Sequence, residues 1–395
     1  MSFKNSQDFL KDSEKEFLWA LAVNKKEEAL RSFKEISEYE NIINYTINNR
    51  IEHHLYKFLR NYGLLKVIEK KHIHTIRNSI EINAKKSMIT YHKGLKILNE
   101  FTKNKINYVS LKGFSYLKYS NTFNRPVRDI DVLINLDDIE RAVDISIENG
   151  FRFRNHKKFS KDMILENTDI YDLPDLVDEN NVCLEIHYKI LRDSKCLSCN
   201  LSKSLFEDVQ NFSIHGSNVK TSSLKSTISH LIYHASKKGN FDNGLGSIFD
   251  LRFLSEFLSK KDIKQIKSIS DECGFRHESE SFLEIIQEKN INFSHGNAYL
   301  LRELIFSPNI NTKIQEFFLK KSLLQKLKNI FILIFASEDK MKREFQSNTK
   351  PILSNYLERW ARQFKQFKSY IYLLVFKRKI FKKRGELIKN FYKEH

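Results

Sequence analysis

The sequence predicts an α+β protein in which a small mixed-sheet core lies between N- and C-terminal helical regions. Three observations lead to that class. Only 11 Gly and 4 Pro occur in 395 residues, too few turn formers for a sandwich, barrel or propeller. Apolar residues recur at helical spacing as far as about residue 104 and again from about Ser222. Between those limits the spacing changes to a period of two, the mark of strands with one buried face.

Each element has its own signal. Residues 80–101 set Met88, Tyr91, Leu95, Leu98 and Phe101 at three- and four-residue steps, which makes one apolar stripe on a helix. Phe33 and Tyr39 are expected in the core of the helices before it. The pattern breaks at Ile106. Residues 106–111 are short and β-rich, and they end at Lys112-Gly113, where a helix opens. Residues 128–134 alternate strictly. Asp137 is placed to cap a helix over residues 138–148, and Gly150 to end it. Residues 182–190 form a further strand, with Val182, Leu184, Ile186, Tyr188 and Ile190 on one face and Cys183, Glu185, His187 and Lys189 on the other. No fixed-period repeat is present. The expected organisation is a helical region over 1–104, an α/β core over 105–221, a helical domain over 222–322 and a basic amphipathic tail over 323–395.

Composition excludes disordered, collagen-like and disulfide-framework classes: 41% of residues are hydrophobic, 29% charged, and mean hydropathy is -0.48. The formal charge of +18 is unevenly placed. Residues 311–395 hold 21 Lys/Arg against 7 Asp/Glu, so about +14 belongs to the tail and the rest of the chain is nearly neutral. The first residues carry no apolar run of the signal-peptide kind. The longest apolar runs, 330–336 and 370–376, fall short of the ~20 residues that span a membrane. Four cysteines are too sparse for a disulfide scaffold, and the Cys196/Cys199 pair has no second pair at zinc-ribbon spacing. The sequence therefore predicts a cytoplasmic protein, peripheral at the inner membrane face if its tail meets lipid.

The chemistry centres on acids. Asp129 and Asp131 are separated by one strand residue, so both carboxylates leave the same face about 6–7 Å apart, while Ile130 and Val132 point into the core. Such a pair can share divalent cations, and Mg²⁺ takes one or two carboxylates together with substrate phosphates. Glu185, on the polar face of another strand, can supply a third carboxylate. Repulsion between the two aspartates alone predicts that neutralising them leaves the fold intact or firmer. The Lys112-Gly113-Phe114-Ser115 turn opens a helix, so its backbone N–H groups can face phosphate oxygens.

Leu111-Lys112-Gly113, Arg128-Asp129-Ile130-Asp131-Val132-Leu133 and Leu184-Glu185-Ile186-His187-Tyr188 together resemble the uncharacterised nucleotidyltransferase family of bacteria. That family lies within the DNA polymerase beta-like nucleotidyltransferase superfamily. The resemblance is strongest over residues 75–192, and a looser likeness continues through residues 230–234 and Asp250-Leu251. Where the superfamily has a Gly-Ser or Gly-Gly turn, this chain has Lys112-Gly113 with Ser115 two residues on.

The resemblance implies a small mixed-sheet nucleotidyltransferase core and Mg-dependent transfer of a nucleoside monophosphate from a nucleoside triphosphate to a hydroxyl, with pyrophosphate released. Asp129 and Asp131 would hold two Mg²⁺ ions, with Mn²⁺ as a substitute, and Glu185 would complete the site where the acceptor hydroxyl is activated. Lys112, Gly113 and Ser115 would hold the β and γ phosphates. The acceptor stays open among a small molecule, a sugar, a protein side chain and an RNA end.

Other residues have narrower claims. His187, on the strand face of Glu185, is placed to orient that acid or to contact substrate. Arg125, in the loop before the acidic strand, is a candidate phosphate contact. Arg128 is expected to point opposite to Asp129 and to form a structural ion pair. His230 and His234, at i and i+4, suit packing or substrate contact better than zinc, because no His-Glu-x-x-His pattern surrounds them. The tail over residues 364–384 interleaves Lys and Arg with Tyr, Leu, Val and Phe. It is consistent with packing on the helical domain, with an anionic membrane surface, or, less favoured, with nucleic acid. Two other readings follow from that charge: a non-catalytic nucleotide-binding scaffold on a membrane, and an RNA-directed nucleotidyltransferase.

Overall fold

The computed structural model describes residues 10–119, 126–154, 173–190, 201–238, 241, 244–287, 296–307, 360 and 378–392. The chain divides into two compact units, 1–294 and 295–395.

The first unit opens with helices α1 (Asp12–Ala22), α2 (Lys26–Lys34), α3 (Glu40–Asn49), α4 (Glu52–Asn61) and the long α5 (Lys70–Lys103). Phe17, Phe33 and Phe58 pack as an aromatic cluster, with ring centroids 5.2 to 6.2 Å apart. Phe33 is buried as expected, and Tyr39 stacks on it at 5.2 Å. The buried carboxylate of Glu52 accepts hydrogen bonds from Ser79 Oγ at 3.1 Å and Asn83 Nδ2 at 2.6 Å. These bonds fix the start of α4 against α5.

The apolar stripe of α5 holds for Leu95, Leu98 and Phe101, which are buried, but Met88 is 65% exposed. Small residues take its place on the inner side: Ser87, Thr90 and Gly94. The reason is close approach. A Cβ on Gly94 would lie 2.0 Å from Cζ of Phe114, so only glycine admits the Phe114 ring here. Ser87 Oγ accepts from the backbone N–H of Val127 at 3.0 Å, which anchors the segment leading into the acidic strand.

Seven strands form one mixed sheet in the order β3-β4-β5-β2-β1-β7-β6. They are β1 (Tyr108–Ser110), β2 (Asp129–Ile134), β3 (Arg152–Phe153), β4 (Leu176–Val177), β5 (Cys183–His187), β6 (Gln210–Ile214) and β7 (Ser217–Thr221). The architecture is α+β, with helices before and after the sheet. β2 runs antiparallel to β1 and parallel to β5. Ile130, Val132, Ile134, Leu184 and Ile186 are completely buried on the core face, against α5 and α6 (Ile139–Glu148).

Several boundaries differ from the sequence reading. The three strands it finds are each shorter, because their ends pass into turns. The helix start also shifts: Asn135, not Asp137, caps a 3₁₀ turn over Leu136–Asp138 that precedes α6. Gly150 follows that helix with φ +88°, the left-handed residue that ends it. The β6–β7 hairpin went unread, although His215 and Gly216 at φ +48° and +75° make the tight turn its alternation needs. Strands β3 and β4, two residues each, are too short to carry a period.

The first unit continues with α7 (Leu201–Glu207), α8 (Leu224–Tyr233), α9 (Gly246–Ser255), α10 (Lys260–Glu272) and α11 (Arg276–Gln287). Ser223 caps α8 by accepting from Ser226 N, which places the return of helix where the periodicity does. The second unit contains α12 (Gly296–Phe306) and α13 (Arg378–Phe391). Arg384 of α13 is buried and donates to the carbonyls of Leu304 at 3.1 Å and Ser307 at 3.0 Å, and to Ser307 Oγ. The rest of the basic tail, and the Cys196/Cys199 pair, lie outside the described residues. No helix among the described residues is long and apolar enough to cross a membrane.

Candidate active site

The β2–β5 register brings the acids together. Asp131 lies directly opposite Glu185, Asp129 opposite Cys183 and Leu133 opposite His187. Because β2 and β5 are parallel and in register, all these side chains leave the sheet on the face away from the apolar core. Asp131 is 1% exposed, Glu185 partly open.

One cation already lies among them. Lys112 Nζ donates to Asp131 Oδ1 and lies 3.9 Å from Glu185 Oε2. Its backbone has φ +44°, a left-handed conformation that a lysine adopts only under constraint. The constraint is visible on both sides. Leu111 N bonds to Asp131 O at 2.9 Å, and a 3₁₀ helix over Lys112–Lys118 follows at once. Ser115 Oγ donates to the Lys112 carbonyl at 2.6 Å. Gly113 packs where a Cβ would press on Val127 at 3.3 Å.

His187 completes the group. Its Nε2 is 3.3 Å from Asp131 Oδ1 and 3.6 Å from Glu185 Oε2, and the ring is buried. Asp131, Glu185 and His187 each offer a ligand atom within 4.8 Å of the others. Asp129 belongs to no such group of three among the described residues; it lines a neighbouring cavity instead. A second group, Asp175, Cys183 and Glu185, has a thiol pushed up to about 12 by burial and by Asp175 and Glu185.

The electrostatics follow from burial and this charge arrangement. Burial opposes ionisation of Asp131, but Lys112 and His187 outweigh it and hold the carboxyl well below the usual range. Burial pushes Glu185 up to about 7, with the Asp131 charge adding to it. Lys112 is disfavoured by burial yet raised above its ordinary value by Asp131, Asp129 and Glu185. One lysine therefore answers three carboxylates, and the group retains negative charge.

Beside Asp129 opens a cavity of ≈ 270 Å³. Arg50, His53, His54, Lys112, Arg128 and His234 line it, facing only Asp129 and Asp250 as acids. The first turns of α4 and α9 also line it, and neither has a side-chain cap bond, so two positive helix ends add to its field. Its walls suit an anion.

The sequence-derived residues are thus distributed as follows. Lys112 and Asp129 line the cavity, while Asp131, Glu185 and His187 form the tight group beside it. Gly113 and Ser115 are buried in the turn and shape it. Arg128 departs from expectation: it precedes β2, so strand alternation does not govern it, and it lines the cavity with Asp129. Arg125 lies outside the described residues. His230 and His234 join Lys112, His187 and Lys189 around a small adjoining pocket, and no metal-like group among the described residues includes either histidine. Sequence reading missed Arg50, His53 and His54. A helical N-terminal region gave no reason to bring them to the acids, although two adjacent histidines at a helix start were visible.

A crystal structure of an antigenic nucleotidyltransferase-like protein from Paracoccidioides brasiliensis is similar at 14% identity, with a TM-score of 0.28, over 52% of this chain and 94% of that one. No curated protein matches the chain. The family described as "uncharacterised nucleotidyltransferase" matches residues 37–288. That span takes in α4, the Lys112 turn, all seven strands and the start of α9. The chain belongs to the uncharacterised nucleotidyltransferase family.

Proposed function

We propose that the chain transfers a nucleoside monophosphate from a nucleoside triphosphate to a hydroxyl acceptor and releases pyrophosphate, using divalent cations held by Asp129, Asp131 and Glu185. The observation that carries this reading is the register of Asp131 against Glu185, with Asp129 two residues away lining a cavity that Arg50, Lys112 and Arg128 also line. The donor set fits Mg²⁺, which takes oxygen ligands. Asp131 Oδ2 is buried and has no hydrogen-bond partner, an orphan oxygen of the kind a cation would satisfy.

When bound, divalent cations supply charge stabilisation to the attacking and leaving oxygens of an in-line displacement. The chain's own groups do the rest. Asp129 and Asp131 hold the donor in place at one end of the cavity. Lys112, released from Asp131, turns its ammonium to the β and γ phosphates, and Arg50 and Arg128 bind the same chain of phosphates from the cavity wall. Gly113 and Ser115 keep the turn tight, so that its backbone N–H groups stay aimed at phosphate. Glu185 completes the site at which the acceptor hydroxyl is activated.

Crystals grown with Mg²⁺ and a non-hydrolysable triphosphate test the reading. The expected result is a triphosphate in the cavity between Lys112 and Arg128, with Mg²⁺ at Asp129 and Asp131. A triphosphate bound elsewhere, or bound without contact to these acids, would overturn it.

A further inference from the structure

The metal-binding residues named above are all carboxylates, yet one of the two ligand-capable groups among the described residues contains a histidine. Nε2 of His187 lies 3.3 Å from Asp131 Oδ1 and 3.6 Å from Glu185 Oε2. The first distance is already long for an N–H···O hydrogen bond, and the second exceeds one. The ring nitrogen is hydrogen-bonded to Asp131 and still faces Glu185, so it lies within reach of both carboxylates. The ring has little freedom to turn away, since His187 is 2% exposed. Asp131 also keeps a buried oxygen, Oδ2, without a hydrogen-bond partner.

We propose that His187 Nε2 is itself a metal ligand, so that the cation site formed by Asp131, Glu185 and His187 takes Mn²⁺ or Co²⁺ through an O,O,N donor set instead of being a carboxylate site for Mg²⁺ alone. This rests on the metal-dependent reading given above. Mg²⁺ takes oxygen ligands and keeps water where protein oxygens run out. Later divalent ions accept imidazole readily and gain affinity from it. Coordination requires His187 to carry its proton on Nδ1, which leaves the Nε2 lone pair for the ion. It also requires the ammonium of Lys112 to leave the gap, because two cations cannot share it. Lys112 has somewhere to go, since it also lines the cavity beside Asp129.

Pulsed electron paramagnetic resonance of the full chain loaded with Mn²⁺ alone tests this without any turnover. The expected signal is ¹⁴N coupling from a directly bound imidazole, lost in His187→Gln but retained in His230→Gln and His234→Gln. Calorimetry on the same proteins should show Co²⁺ affinity falling about tenfold or more in His187→Gln, a ligand-sized loss, while Mg²⁺ affinity stays within about twofold. Should His187→Gln fail to fold, the ¹⁴N coupling of the wild-type protein still decides. Saturable Mn²⁺ binding with no ¹⁴N coupling would overturn the histidine ligand and leave the carboxylate site standing. An absence of any Mn²⁺ binding would overturn both.

Discussion

Arg384 and Lys112, one in each unit, show how differently a cation can be held. Arg384 is enclosed by backbone carbonyls and a serine hydroxyl at the end of α12. These bonds join α13 to the end of α12. Lys112 is enclosed by full negative charges that outnumber it, on a backbone held in a left-handed conformation. Hydrogen bonds to the backbone make a clamp. On the reading proposed above, surplus carboxylates make a site in which the lysine is replaceable by an ion of higher charge. The difference lies in the partners, and burial alone would not reveal it.

The sharpest way to break this comparison is to remove the carboxylates. Asp129→Asn with Asp131→Asn should abolish metal-dependent turnover of triphosphate, measured as pyrophosphate release. The sequence alone, seeing only repulsion between two acids, predicts no loss of stability. Lys112 reverses that sign: without Asp131 its buried ammonium loses its main partner, a change that costs on the order of 3–5 kcal/mol when a buried pair is broken. Chemical denaturation of the metal-free double mutant reads this directly.

Next in size, Glu185→Gln should lower kcat by on the order of 10²-fold with KM nearly unchanged. Asp129 and Asp131 still seat the donor, whereas the charge answered by Glu185 develops during transfer. Equal losses in binding and turnover would mean that Glu185 seats the ground-state metal.

Paired substitutions then sharpen the contrast between the cations. Arg384→Met leaves the Leu304 and Ser307 carbonyls short of a donor and should destabilise the second unit by about 1–3 kcal/mol, independently of Mg²⁺. Lys112→Met should respond to metal: with its competitor gone, Mg²⁺ should bind more tightly and raise the melting temperature more than in wild type. Identical responses of the two variants to Mg²⁺ would erase the distinction.

The smallest effect concerns pH. His54, stacked on Phe249 with ring centroids 3.9 Å apart, is held well below its ordinary 6.5 by burial, then by His53 and Lys57. The unfolded chain therefore binds a proton below about pH 6.5 that the folded chain refuses. Stability should rise with pH up to about 6.5 and then level, and His54→Phe should flatten that part of the curve. Denaturation midpoints between pH 5 and 7.5 check it; an unchanged slope in the variant would count against a neutral, buried His54.

The acid face was legible in the sequence because its information is local. Alternation through Ile130, Val132, Leu184 and Ile186 fixes which way Asp129, Asp131 and Glu185 point, and a strand register does the rest. What stayed hidden is non-local. Met88 fits a helical stripe, yet Gly94 and Ser87 form the inner face because Phe114 and Val127 press there from other elements. The lysine between the acids was assigned to phosphate, since nothing in Lys112-Gly113 announces a left-handed lysine folded back onto a carboxylate. Arg50, His53 and His54 reach the cavity only through the packing of α4 on α5, where the buried Glu52 holds the two helices together.

The central claim is that the Asp129/Asp131 face binds a metal–triphosphate complex. Titration calorimetry of the full chain with a non-hydrolysable triphosphate, with and without Mg²⁺, tests it most directly when set beside Asp129→Asn with Asp131→Asn. Saturable binding that needs Mg²⁺ in the wild type and falls at least about tenfold in the double variant is the expected result. Binding that survives chelation of the metal, or that the double variant retains in full, would contradict the account.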